Sequence, residues 1–157
     1  MSEGDALQHT TKWIQEIAAD SDEISVNPMN IQKRTIVDRI FRHREYRPPW
    51  LWSLVQMIRN VHDDIHPEGK PSRSRLIVHP TAAGSVRGAH NCGRCDKEVA
   101  AAIERYSVSG SLLEFEGLSC ECESQWKAEI ELDTSLPIPL GSGIDRRLDP
   151  IEALLSP

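Results

Sequence analysis

The sequence predicts an α+β fold in which a helical N-terminal layer packs on a small antiparallel β-sheet that is stapled by zinc. Apolar residues recur at helical spacing through residues 1–65, whereas strand patterns fall between residues 76 and 133. The four cysteines form two tight pairs, C-x-x-C at 92–95 and C-x-C at 120–122. Two such pairs are typical of a tetrahedral zinc site, which would hold a small sheet together.

The bulk composition is that of an ordinary globular chain. Its 157 residues are 39% hydrophobic and 27% charged, and no apolar run approaches the ~20 residues of a membrane span. We expect one domain over 1–133, with a helical part (1–65) and a zinc-binding part (76–133), followed by a proline- and glycine-rich tail (134–157). The acidic start lacks an apolar signal core, so we expect an intracellular protein, cytoplasmic or nuclear, without membrane association. Reduced cysteines there favour metal over disulfide.

Three amphipathic helices are predicted in the N-terminal part. The first covers 5–19, with an apolar stripe of Leu7, Trp13, Ile14 and Ile17. The second runs from an N-cap at Asn30 to about Arg42. Pro48-Pro49 ends it and opens a third helix, in which Trp50 and Trp52 belong to the core.

The C-terminal part is predicted to hold the sheet. Residues 66–75 form a loop, 76–78 a short buried strand and 96–106 a helix. Apolar and acidic residues then alternate over 112–116 and 126–133, which predicts two strands with one acidic face. Because Cys120 and Cys122 lie between them, we expect a hairpin with the metal at its turn.

One closed site made of Cys92, Cys95, Cys120 and Cys122 would be structural, because four thiolates leave zinc no open position. His90 could replace one of the sulfur ligands. The alternatives are four ordinary thiols or a redox C-x-x-C. A redox site leaves the C-x-C pair unexplained and lacks the βαβ unit that such a site requires.

A second hypothesis comes from a resemblance. Cys92-Gly93-Arg94-Cys95, a helix, a strand at 112–116, the C-x-C pair and Trp126 resemble the C-terminal half of the DYW-type deaminases, over residues 66–126. The resemblance implies zinc-dependent deamination of cytidine in RNA. It also implies a zinc held by Cys92, Cys95 and a histidine, and a proton-shuttling glutamate. Two His-x-Glu sequences provide candidates for these two roles: His66 with Glu68, and His43 with Glu45.

Charge is unevenly distributed along the chain. Residues 31–75 carry ten Lys/Arg against five Asp/Glu, a net of +5, whereas the whole chain has a net charge of −6. This basic segment is either a solvated face or a polyanion-binding surface. The residues that would contact a polyanion are Arg34, Arg39, Arg42, Arg44, Arg47, Lys70, Arg73 and Arg75.

The sequence therefore favours a small zinc-binding module that is not catalytic. It contains no glycine-rich phosphate loop, nucleophile elbow or paired acid site. We expect an interaction or regulatory module, of a build also seen in viral accessory proteins, whose partner is a protein or a nucleic acid. The alternative is the zinc-dependent cytidine deaminase.

Overall fold

The computed structural model describes residues 2–68 and 74–135 and has the predicted α+β fold. Its elements, in chain order, are α1 (Glu3–Ile17), β1 (Glu23–Val26), α2 (Ile36–Arg42), α3 (Leu51–Ile65), β2 (Arg75–Val78), α4 (Asp96–Ser109), a 3₁₀ turn (Leu112–Phe115) and α5 (Cys122–Ser135). The predicted tail lies outside the described residues from 136 onward. The division into domains therefore stays a prediction.

Helix α3 is the centre of the core. Its apolar side chains are buried around most of its circumference, and Leu51, Ile58, Val61 and Ile65 have no exposed surface. Helices α1 and α4 pack on it, and α5 packs on α1. Trp50 and Trp52 are both buried, as predicted. A helix that is apolar on so many sides must be covered by several elements, which fixes the arrangement of the others.

The two-stranded sheet is parallel, so the predicted antiparallel sheet is wrong. Strand β1 pairs with β2 in the register Glu23 with Arg75 through Val26 with Val78. The chain passes from one strand to the other through α2 and α3, and a crossover of this kind returns the second strand parallel to the first. Strand β1 was not predicted, because a segment of four residues gives only a weak strand pattern. Ile24 is its one buried residue.

The predicted C-terminal hairpin is also absent, because residues 122–135 form α5 and 112–115 a 3₁₀ turn. The period-two pattern over 126–133 is coincidental. The buried positions of α5 are Cys122 and Trp126, with Ile130 partly buried, and they recur every four residues as in a helix. Alanine, leucine, glutamate and lysine in this segment are also strong helix formers.

The N-terminal helices lie close to the predicted ones, with two differences. On α1, Ile14 is buried, but Trp13 and Ile17 of the predicted stripe are exposed. Helix α2 begins at Ile36 and not after Asn30, since the Thr35 side chain accepts from the N–H of Asp38 and caps it. None of the helices described is both long and apolar enough to cross a membrane.

Candidate metal centre

The C-x-x-C pair lies in a turn that leads into α4. Gly93 has a φ of +88°, a left-handed conformation that glycine adopts without strain. The buried carboxylate of Asp96 accepts hydrogen bonds from the backbone N–H groups of Asn91 (3.0 Å) and Gly93 (3.2 Å). Asp96 therefore fixes the turn from inside and holds Cys92 and Cys95 on the same side of it.

The C-x-C pair lies at the start of α5. Cys120 precedes the helix, and Cys122 is its first residue. The Cys122 side chain is buried, and its Sγ lies 3.4 Å from the Trp52 indole nitrogen of α3, which donates to it. The turn from Cys120 is closed by a backbone hydrogen bond from Glu123 N to Cys120 O. The two cysteine pairs are thus presented by two different helix starts.

All four sulfur atoms lie within 4.8 Å of one another. The Sγ–Sγ distances are 3.9 Å for Cys92–Cys95, 3.6 Å for Cys92–Cys120 and 3.6 Å for Cys95–Cys122. A tetrahedral zinc with Zn–S bonds of about 2.3 Å requires sulfurs roughly 3.8 Å apart. These separations exceed a disulfide bond of about 2.05 Å, and the four thiols are free. The cluster could therefore bind one metal ion of zinc's size.

The cluster has a buried side and an exposed side. Cys95 and Cys122 are buried, whereas Cys92 is exposed. Burial raises the pKa of Cys95 and raises that of Cys122 to about 12. The backbone N–H of Arg94 lowers the pKa of the Cys92 thiol to about 6. Buried thiols of high pKa are poor redox groups, but a cation bound between them would deprotonate them.

Hydrogen bonds from outside the cluster orient the buried sulfurs. The side-chain amide of Asn91 donates to Cys95 Sγ at 3.3 Å, while its oxygen accepts from the backbone N–H of Trp52 at 3.3 Å. On the exposed side an ion pair joins Arg94 to Glu121 at 2.8 Å, one residue from each cysteine pair. The sequence analysis missed Asn91, since no local pattern reports its contact with α3.

The other predicted ligands lie outside the cluster. His90 Nδ1 is 2.9 Å from the Gly88 carbonyl oxygen. The His66 ring packs against His62, at 4.8 Å between centroids, and His43 is the C-cap residue of α2. In the described part of the chain, the group that could hold a metal ion consists of the four cysteines without a histidine. Glu68 and Glu45, both exposed, are not members of it either.

The predicted polyanion-binding residues separate into three sets. Arg34, Arg39, Arg42 and Arg44 are exposed on α2 and its flanks, and are called the α2 arginine group below. Two others donate to backbone carbonyls: Arg47 to His90 at 2.8 Å, and Arg75 to Ser107 at 3.4 Å. Lys70 and Arg73 lie outside the described residues. The first set thus places four exposed guanidinium groups within residues 34–44.

Comparison with known proteins gives one consistent result. No family model matches the chain, and no solved structure matches it. The chain is similar to archaeosine synthase subunit beta. It is 35% identical over 133 residues to the protein of that name from Methanosarcina acetivorans, and 34% identical over 132 residues to the one from Thermococcus kodakarensis. It is also 32% identical over 122 residues to an uncharacterized protein of Methanocaldococcus jannaschii.

The matched segments cover most of this chain but a minor part of each relative. They take 85%, 83% and 75% of this chain, and 37%, 39% and 31% of the three relatives in the same order. The chain therefore spans a little over a third of the length of the two archaeosine synthase subunits.

These comparisons overturn the resemblance to DYW-type deaminases. The similar proteins carry a different name, and no family model supports the deaminase assignment. The shared features were a C-x-x-C before a helix and a C-x-C after it, and the expected strand at 112–116 is a 3₁₀ turn. The comparisons do not favour the deaminase alternative, since neither named relative is a deaminase by name. They do not support a nuclear location either, since both organisms are archaea.

Proposed function

We propose that the chain is a zinc-stapled, non-catalytic module that contacts RNA as part of an enzyme that makes a modified nucleoside. The observation that carries the proposal is the cysteine cluster, in which four sulfurs from two helix starts lie within 4.8 Å of one another. Such a set matches structural zinc in ligand type, number and spacing.

A structural role for the metal follows from the composition of the cluster. Four thiolates would fill a tetrahedral shell and leave no position for water or substrate. A catalytic zinc normally keeps one position open, which its bound water then occupies. The two buried sulfurs also receive hydrogen bonds from Asn91 and Trp52, contacts that orient ligands and tie the centre to α3.

The RNA part of the proposal rests on the relatives and on charge. The relatives' name states that they are one subunit of an enzyme that makes archaeosine, which is a nucleoside. The α2 arginine group supplies exposed guanidinium groups in a short stretch of chain. Guanidinium groups contact phosphate oxygens, and such contacts position a protein on a nucleic acid without reading its sequence. A module of this kind would hold RNA while another part of the assembly carries out the chemistry.

The metal is tested by elemental analysis of the purified chain, for which we expect one zinc per chain. Cys95→Ser and Cys122→Ser should each remove most of it, because the site needs ligands from both pairs. Ser119→Ala, beside the cluster, is the matched control and should retain the metal. Well under one zinc in the wild type would contradict the proposal, as would variants that keep full metal content.

The RNA contact is tested with an unmodified tRNA transcript at several salt concentrations. Arg39→Gln combined with Arg44→Gln should weaken binding and reduce the slope of log affinity against log salt by roughly one to two. Lys12→Gln with Arg105→Gln is the matched control, because both basic side chains are exposed but each pairs with a glutamate. Equal affinities for the two double variants would exclude the α2 arginine group as the RNA contact and would favour a protein partner for it.

A further inference from the structure

A half-open cavity of about 730 Å³ lies beside Trp50, between α1, α3, the end of β1 and the segment 45–49. It is called the Trp50 cavity here. Its walls are mainly apolar and include Leu7, Val26, Leu54 and Met57, and the Tyr46 ring contributes a flat surface. The volume falls within the range of small-molecule sites, roughly 300–1,000 Å³. The proposed RNA contact and the cysteine cluster do not use it.

Two half-buried carboxylates line the cavity, and both are held by Trp50. Glu3 Oε1, from α1, accepts from the backbone N–H of Trp50 at 2.9 Å and from the Ser53 hydroxyl. Glu129 Oε2, from α5, accepts from the Trp50 indole N–H at 2.9 Å. Within the described residues, Glu3 Oε2 and Glu129 Oε1 receive no hydrogen bond. Each carboxylate therefore has one fixed oxygen and one that remains available as an acceptor.

The cavity carries a surplus of negative charge. Among the described residues, Arg47 is the one cation in its lining. Its guanidinium lies 3.8 Å from the centroid of the Trp50 ring and donates to the carbonyls of Pro48 and His90. It offsets one carboxylate, whereas the lining also contains Glu45 and Asp133 in addition to Glu3 and Glu129. Burial raises the pKa of Glu3, and the Glu129 charge raises it further. A cation bound between the two carboxylates would relieve this repulsion.

We propose that the Trp50 cavity binds a small organic cation that presents an amidinium-type pair of N–H donors on a flat apolar body. One nitrogen of the pair would donate to Glu3 Oε2 and the other to Glu129 Oε1, each through a charge-assisted hydrogen bond. The apolar body would lie between Leu54, Met57 and the Tyr46 ring. Charge complementarity selects the cation, and the apolar walls select the body that carries it.

Benzamidine is a suitable probe, and benzamide is its uncharged counterpart of nearly the same shape. We would titrate each into the zinc-loaded chain of 157 residues and follow the methyl NMR signals of Met57 and Met29. We expect benzamidine to shift these signals saturably and to bind at least about tenfold more tightly than benzamide. Equal affinities for the two, or no shift with either, would overturn the proposal.

Glu129→Gln keeps an oxygen for the Trp50 indole but removes the charge, and it should weaken benzamidine about tenfold or more. Glu131→Gln, on the same helix but outside the cavity lining, is the matched control and should bind like the wild type. Met29→Trp would block the cavity from its exposed rim and should weaken binding without a change in charge. Unchanged benzamidine affinity in both Glu129→Gln and Met29→Trp would place the binding elsewhere and refute the site.

Discussion

At the scale of single residues, Asp38 accepts three hydrogen bonds on its carboxylate although the side chain is buried. Its buried carboxylate accepts from the backbone N–H of Arg34 at 2.9 Å, from Arg42 at 2.9 Å and from Arg87 at 2.7 Å. Arg34 has a φ of +67°, a conformation that non-glycine residues seldom adopt. The contact with Arg87 joins α2 to the segment before the C-x-x-C turn. Arg87 also donates to the Ile31 carbonyl, which lies before α2.

These contacts predict an acid-sensitive stability. The backbone N–H of Arg34, followed by the Arg87 guanidinium, holds the pKa of Asp38 well below its ordinary value of 3.8. A carboxyl group with a lowered folded-state pKa stabilises the fold above its unfolded pKa, and this stabilisation is lost as pH falls toward the folded pKa. We therefore expect the Asp38 contribution to be complete above about pH 5 and to decline below pH 4.

Asp38→Asn tests this expectation through urea unfolding at pH 7 and at several values between pH 4 and 2. The variant should be less stable at pH 7, because an uncharged amide cannot replace the ionised acceptor. The difference from the wild type should shrink as pH falls. Asp20→Asn, at an exposed position, is the control and should leave the profile unchanged. A constant difference over the whole pH range would show that the Asp38 charge does not stabilise the fold.

At the scale of elements, α5 shows where pattern reading fails. Over 126–133 the sequence alternates between apolar and polar residues, which satisfies a strand template. The structure buries Trp126 but leaves Leu132 58% exposed. Ala128 is exposed as well, so two of the four apolar residues in the pattern face solvent. Short segments often fit both the strand period of two and the helix period of 3.6. Here the helix propensity of the segment and its packing against α1 favour the helix. The two longer N-terminal helices, α1 and α3, were predictable from apolar residues at helical spacing, although Trp13 and Ile17 of α1 face solvent.

Trp126 is the residue through which α5 docks on the core. It is 5% exposed and donates from its indole nitrogen to the Ser53 hydroxyl at 2.8 Å. Trp126→Ala should lower the free energy of unfolding by about 3–5 kcal/mol. The same substitution at Trp13, which is 62% exposed, should change it by no more than about 0.5 kcal/mol. Both values come from urea unfolding followed by circular dichroism.

A milder variant keeps the comparison usable if Trp126→Ala does not fold. Trp126→Phe retains most of the buried ring and removes the hydrogen bond to Ser53, so it should cost a smaller amount, of order 1 kcal/mol for the bond in addition to the lost volume. Equal losses for the alanine variants at positions 13 and 126 would mean that α5 does not dock through Trp126.

At the scale of the whole molecule, the cysteine cluster connects parts that are far apart in sequence. It joins the start of α4 to the start of α5, while Trp52 and Asn91 link it to α3. The cysteine grouping was predictable because C-x-x-C and C-x-C are local patterns. The contacts of Asn91 and Trp52 were not predictable, since they depend on how separate elements pack. The same limit applies to the hydrogen bonds of Arg47 and Arg75 to backbone carbonyls, which no local pattern indicates.

If a bound metal ion holds the starts of α4 and α5 together, its removal should destabilise these segments more than the rest of the molecule. A strong chelator should lower the melting temperature and speed amide exchange most at 91–97 and 120–126, where the ligands hold two helix starts. The part of α3 beyond Trp52 should be least affected, because Ile58, Val61 and Ile65 are fully buried in the core. The Cys95→Ser, Cys122→Ser double variant is the control, since a chain without the metal should not respond to the chelator. Exchange that rises equally everywhere would mean that the metal supports the whole fold, whereas unchanged exchange after complete zinc removal would show that the cluster is not a staple.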